Sequence, residues 1–183
     1  MCQLCESKPV WEFTNKRKLC ARCFVKYFEK KFLYVMRKFG MVGKGEVIGY
    51  EKGKDFRNVV LGFLLEMYGQ RAPVEIAKLP TRKATRVAVA DTSDSVAYAV
   101  VREFVKGKSE NLEKFAPVFQ KNIRVLFLFL DAEVLLYAKI KKLKFSIPKK
   151  KKSGLDLFVD EMEKKHPEIK HAIVKGFLKI SEV

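Results

Sequence analysis

Four cysteines lie within the first 23 residues, as Cys2-x-x-Cys5 and Cys20-x-x-Cys23, with 14 residues between the pairs. A C-x-x-C turn sets two thiolates beside one ion, and two such turns supply four soft donors for a closed tetrahedral shell. Zinc is the expected ion. With no coordination position open, it would stabilise a fold rather than perform chemistry. Because the ligands converge only in a folded ribbon, binding and folding would be coupled. Two disulfides or a redox pair are the alternatives. Disulfides need an oxidising compartment, and the opening Met1-Cys2-Gln3-Leu4-Cys5 carries no apolar leader, so the expectation is a reduced, cytoplasmic setting.

Few other residues suggest chemistry. Asp91 and Asp94 could form an acid–base pair, but at Asp91-Thr92-Ser93-Asp94-Ser95 they also suit the cap of a following helix. His166 and His171 do not share a helical face, and Pro167 separates them. No Ser/His/Asp or Cys/His arrangement is visible.

The elements that must position these residues follow from periodicity. Pro9 to Phe13 predicts a short strand and Asn15 to Lys18 the turn back, completing a ribbon. From Phe24 to Phe39, Phe24, Tyr27, Phe28, Phe32, Val35 and Met36 recur at helical spacing among lysines. Gly40 and Gly43 end that helix. Strands are expected at Glu46–Tyr50, Pro73–Lys78 and Arg86–Ala90, and helices at Asp55–Tyr68 and from Asp91 to about Val105. The apolar run Val125 to Leu130 predicts a strand buried on both faces, with Asp131 capping the helix that follows it. Two further helices, Leu155–Lys164 and Ile169–Ile180, flank His166-Pro167. Alternating strands and helices indicate a small, largely parallel α/β sheet.

The chain has 183 residues, with 38 Lys+Arg against 21 Asp+Glu and a net charge of +17. With 48% hydrophobic residues and 15 Phe there is enough apolar surface for a core, which excludes extensive disorder. No run reaches the roughly 18 apolar residues of a membrane span, so no membrane is expected as a partner. The charge favours a polyanion, with nucleic acid the default.

In this order the pieces resemble a known family. A four-cysteine ribbon, a basic aromatic helix, a strand, a phosphate-loop-like turn and a late Glu133-Val134-x-x-Tyr137-Ala138 helix resemble the proteins that 2-thiolate the wobble uridine of tRNA. Those are PP-loop ATPases fronted by a ribbon. Catalytic members adenylate the uridine and then introduce sulfur from a ubiquitin-like carrier. The resemblance implies a small, truncated, doubly wound PP-loop-like domain of the adenine nucleotide alpha hydrolase type. It divides the chain into a ribbon at 1–25, a linking basic aromatic helix at 26–44, a degenerate PP-loop-like domain at 45–147, and a basic loop with C-terminal helices at 148–183.

The departures from the family are informative. Its loop reads Ser-Gly-Gly-x-Asp-Ser; here Glu51-Lys52-Gly53-Lys54-Asp55-Phe56 stands in its place, keeping Gly53 and Asp55 with Lys54 between them. Glu51 sets a carboxylate where phosphates would lie, a repulsive element. Of the second nucleotide segment, Gly-His-Asn-x-Asp-Asp-Glu, only Asp94 persists, and only Gln70 to Arg86 separates the two segments. Catalytic members also hold an iron–sulfur cluster or reactive cysteines in the α/β domain, whereas no cysteine follows Cys23. The resemblance is therefore to the non-catalytic partner subunit of the eukaryotic complex. It implies structural zinc, no ATP, and a role in binding tRNA, docking a catalytic thiolation subunit, or both. A second copy of the chain is a further candidate partner. An active ATP-dependent enzyme with an atypical loop, or an unrelated zinc-ribbon nucleic-acid binder, are the alternatives.

Two basic patches are candidates for RNA phosphates. One comprises Lys16, Arg17, Lys18, Arg22, Lys26 and Lys30 on the ribbon and its helix. The other comprises Lys141, Lys142, Lys144 and the run Lys149, Lys150, Lys151, Lys152. Phe and Tyr of the ribbon helix could stack on unpaired bases, although such a stripe is more often core.

Overall fold

The structure, a computed structural model, describes residues 1–148 and 152–180. Lys149, Lys150 and Lys151 of the second basic patch lie outside the described residues.

The ribbon folds as the cysteine spacing requires. Strand β1 (Trp11–Glu12) pairs antiparallel with β2 (Lys18–Leu19). The turn closes through Arg17 O accepting from Phe13 N at 2.8 Å. Helix α1 (Ala21–Lys38) opens at Cys20, three residues earlier than the aromatic periodicity suggests, and ends where Gly40 takes a positive φ of 53°. Its buried face is Phe24, Phe28, Phe32, Val35 and Met36. Burying each such aromatic contributes about 1.5–3 kcal/mol against leaving it in water.

The rest of the chain is an α/β unit. In order come β3 (Val47–Tyr50), α2 (Phe56–Gly69), β4 (Glu75–Lys78), β5 (Arg86–Ala88) and α3 (Ser93–Val105). A 3-10 segment (Ser109–Phe115), β6 (Val118–Phe119), β7 (Asn122–Ile123), α4 (Asp131–Ile140), α5 (Gly154–Lys165) and α6 (Ile169–Ile180) follow. The sheet order is β4-β3-β5-β7-β6, parallel except for the edge pair β6–β7. This is the mostly parallel α/β sheet that the alternating pattern predicts. Among the described residues no helix is long and apolar enough to cross a membrane.

Two expectations are corrected. The run Val125 to Leu130 is not a strand. Its amides bond locally, Phe127 N to Arg124 O at 3.0 Å and Phe129 N to Leu126 O at 2.9 Å, and the strand there is only Asn122–Ile123. The run is apolar because it divides its side chains between two cores. Phe129 packs against Phe28 with centroids 4.4 Å apart, and Phe127 against Phe177 of α6 at 6.5 Å. Burial on all sides looks the same in sequence whether the backbone is a strand or a compact loop. The second correction concerns Asp131, which is the first residue of α4 and not its cap. Glu133 closes that helix start by accepting from Leu130 N at 2.9 Å.

Helix α1 joins the ribbon to this unit through side chains. The Phe28 ring stacks on Tyr137 of α4 at 4.2 Å, and Lys31 Nζ reaches Glu133 at 2.8 Å.

Candidate functional site

The four cysteines converge. Cys2 and Cys5 sit on a knuckle held by Cys2 N to Ser7 O and Glu6 N to Cys2 O, both 2.9 Å, while Cys20 and Cys23 occupy the first turn of α1. Cys5 Sγ lies 3.7 Å from Cys2 Sγ, 3.3 Å from Cys20 Sγ and 3.5 Å from Cys23 Sγ, and all four lie within 4.8 Å of one another. Four sulfurs about 2.3 Å from one tetrahedral ion stand about 3.8 Å apart, so the set fits a single metal ion. Crowding sets the thiols against each other. Cys5 is drawn down to about 5, first by the Ser7 hydroxyl, and Cys23 is pushed up to about 12, first by Cys5. A dication at the centre would relieve that conflict by holding all four as thiolates. Trp11 packs beneath, 5.7 Å from Phe24 between ring centroids.

A second site follows from topology. The chain leaves β3 for β4 on one side and continues to β5 and β7 on the other, so the sheet switches direction between β3 and β5. The crevice beyond the carboxyl ends of such strands is where open α/β sheets receive ligands. The candidate loop residues Gly53, Lys54 and Asp55 lie at one edge of it, and Asp94 at the other. They do not assemble an open phosphate cradle.

The amides that a phosphate would use are instead engaged by the chain itself. At the start of α2, Phe56 N donates to Ser146 O at 3.2 Å and Arg57 N to the Asp55 carboxylate at 3.2 Å. Ser146 N in turn donates to Lys54 O at 2.7 Å. At α4, Asp131 N donates to Asp94 Oδ2 at 2.7 Å. At α3 the cap is Thr92 with Ser95, Thr92 N donating to Ser95 Oγ at 2.7 Å; neither Asp91 nor Asp94 caps it. Asp91 instead accepts from Arg124 Nε at 2.9 Å.

Side chains bridge the space between these helix ends, beside hollows of about 230 Å³ against Gly53 and about 250 Å³ against Arg57 and Asp131. Arg57 Nε donates to Asp131 Oδ1 at 2.7 Å and its Nη2 to Asp131 Oδ2, a two-point clasp, and Thr92 Oγ1 donates to Asp131 Oδ1 at 2.7 Å. Asp94, 6% exposed, accepts from Lys170 Nζ at 2.7 Å. Lys170 also lies 3.1 Å from Asp160 and 2.7 Å from Glu163, with Tyr98 beneath it. Burial pulls the Lys170 ammonium down, but Asp94, helped by Glu163 and Tyr98, outweighs it and holds the pKa above its ordinary value. Asp160 is held down to about 2; burial opposes this, and Lys152, Tyr98 and Lys170 overcome it. Arg57 was not singled out in the sequence, and the pairings of Thr92, Asp131 and Lys170 across the crevice were not foreseen. Of these only the Thr92-x-x-Ser95 capping pattern carried a local signal.

The basic patches resolve unevenly. Lys16 and Lys18 face Glu12 at 3.9 and 3.2 Å, Lys141 pairs with Glu29 at 2.9 Å, and Lys152 pairs with Asp160. Arg22, Lys142 and Lys144 are exposed apart from the groove described next. Arg17, Lys26 and Lys30 come together on a groove of about 550 Å³ beside Cys23, walled by Tyr27, Tyr34 and Leu128. Through Lys31 and Leu128 the groove runs on into a second hollow of about 480 Å³, against His171 and Lys175 of α6. The aromatic stripe of α1 thus divides, its phenylalanines in the core and its two tyrosines on the groove.

No protein-family model matches the chain, and no curated protein matches it. Among solved structures it is similar to the U34-tRNA thiolase NcsA from Methanococcus maripaludis, described with its 4Fe–4S cluster. The TM-score is 0.82 at 18% identity, over 99% of this chain and 87% of that chain. At that identity the likeness is one of fold, an α/β unit on a mostly parallel sheet.

Proposed function

We propose that this chain is a non-catalytic, tRNA-binding protein of the wobble-uridine thiolation type, carrying a structural zinc ribbon. One observation carries the reading: Arg57, Asp131, Thr92, Asp94 and Lys170 are bonded to one another across the crevice at the β3–β5 switch, which leaves hollows of about 230 and 250 Å³ beside Gly53 and Arg57. A triphosphate entering there would meet Asp55, Asp94 and Asp131, whose cationic partners are already engaged, and would have to displace the bonds at the starts of α2 and α4. Nucleotide-dependent adenylation is therefore not the chain's work.

The other parts agree with this reading. Sulfur separations near those of a single-ion shell favour zinc over a cubane, whose thiolates each bind a different iron and so stand wider apart. The sequence has no cysteine after Cys23 with which to hold a cluster or relay sulfur elsewhere. A net charge of +17 and a groove of cations with exposed aromatic rings suit RNA. A tRNA binder that does not activate the uridine needs a partner that does, so a catalytic thiolation subunit is its expected companion, in the cytoplasm where tRNA is modified.

The reading is tested by titrating a labelled, unmodified tRNA transcript with the purified chain. Saturable binding is expected, falling steeply as salt rises and indifferent to ATP with Mg²⁺. An absence of binding, or binding that requires ATP, contradicts it.

A further inference from the structure

We infer that the groove between the ribbon and α1 holds an unpaired nucleotide of an RNA, its base stacked on Tyr34 beside Tyr27 and its flanking phosphates on Lys26, Lys30 and Arg17. The inference deepens the tRNA reading and rests on it for the identity of the RNA.

Helix α1 is two-faced. Residues 24, 28, 32 and 35 point into the core, and residues 23, 26, 27, 30, 31 and 34 form the flanking stripe, at helical spacing, along the groove. Tyr34 is half exposed, and its neighbours one turn away on either side are Lys30 and Lys38. Lys38 Nζ lies 5.7 Å from the Tyr34 ring, and the Arg17 guanidinium lies 5.9 Å from the Tyr27 ring. Lys26 and Lys30 are exposed and make no ion pair among the described residues, while Lys31 is tied to Glu133 at 2.8 Å and forms the wall. Cations without carboxylate partners beside the half-exposed Tyr34 ring form a single-strand platform, in which phosphates take the charges and a base takes the ring.

The same geometry argues against the other polyanions. A duplex keeps its base faces stacked and offers the tyrosines nothing. The face of a tyrosine ring carries partial negative charge, so a carboxylate gains nothing from it, whereas a base does. The volume of about 550 Å³ is on the scale of a pocket for one small molecule, hence of one extruded nucleotide.

Fluorescence anisotropy with a short labelled oligouridine and with a hairpin duplex of equal charge tests this on the full chain. Oligouridine is expected to bind more tightly. Tyr34→Ala should weaken it about tenfold, the scale of one lost base–aromatic stack, leaving duplex affinity unchanged, and Tyr34→Phe should retain it. Lys30→Ala should lower the salt slope by about one. Equal affinity for duplex and single strand, an unchanged affinity in Tyr34→Ala, or equally strong competition by polyglutamate would overturn the inference. A tRNA transcript that binds but ignores Tyr34→Ala and Lys30→Ala sinks the groove and leaves the tRNA reading standing. Oligouridine binding of the expected pattern without tRNA binding supports the groove and removes the reading.

Discussion

Lys170 Nζ lies 2.7 Å from Asp94 Oδ1, 76 positions earlier in the chain, and the pair ties α6 to the start of α3. The lysine side chain is 4% exposed and the aspartate 9%, so neither charge has water to fall back on. Asp94 uses its other oxygen to receive Asp131 N, and Asp131 is clasped by Arg57. Four helix starts, those of α2, α3, α4 and α6, are thereby joined by one line of charges, in the place where an open α/β sheet of this order otherwise receives a ligand.

Lys170→Met should be strongly destabilising, because it strands a buried carboxylate. A loss of about 3–5 kcal/mol is expected in chemical denaturation. Adding Asp94→Asn to that variant should recover part of the loss, since a neutral amide needs no cation. A loss below about 1 kcal/mol in the single variant would place the pair with weak surface bridges and contradict its structural role.

Acid should weaken the same cluster. Asp160 is held down to about 2 in the folded chain, against about 3.9 for a free aspartate. The unfolded chain therefore takes up the proton first. The stability Asp160 contributes is present above about pH 4 and is lost as pH falls toward about 2. Denaturation midpoints measured across that interval should drop in the parent protein and drop less in Asp160→Asn. Equal slopes would show that Asp160 is not held by Lys152, Tyr98 and Lys170.

Metal removal should unfold the ribbon. One zinc per chain is expected by elemental analysis, with four-thiolate tetrahedral absorption after cobalt substitution. Cys20→Ser should lower both metal content and melting temperature, because Cys20 is one of the four proposed ligands and also opens α1. A preparation holding iron and inorganic sulfide at these thiols would refute the zinc assignment.

Phe28 joins the ribbon helix to the α/β unit, and Phe28→Ala should cost about 3–5 kcal/mol in urea denaturation, the usual range for a buried phenylalanine. Its ring lies 4.2 Å from Tyr137 and 4.4 Å from Phe129, so the cavity would open between α1 and α4. A cost near zero would mean that α1 is not part of the common core.

What could be read from the sequence follows how far apart the interacting residues lie. The convergence of the four cysteines was legible because each Cys-x-x-Cys pair is local and its spacing is fixed by one turn. The helices and parallel strands followed from periodicity, which is also a local property. Val125 to Leu130 misled because full burial removes periodicity, and a compact loop feeding two cores then resembles a strand. Asp94 was singled out, but its role was set by Lys170, and the partner of Arg57, Asp131, stands 74 residues away. Such pairings leave no local signal. The charge runs gave no hint that Lys141 and Lys152 face Glu29 and Asp160, carboxylates that folding brings near.

The central claim is that the β3–β5 crevice is closed to nucleotide, and calorimetric titration of the zinc-loaded chain with ATP and Mg²⁺ tests it most directly. The account predicts no saturable heat, with or without tRNA. Saturable binding in the micromolar range, abolished by substituting Gly53 or Asp94, would contradict it and restore the chain to the nucleotide-dependent enzymes.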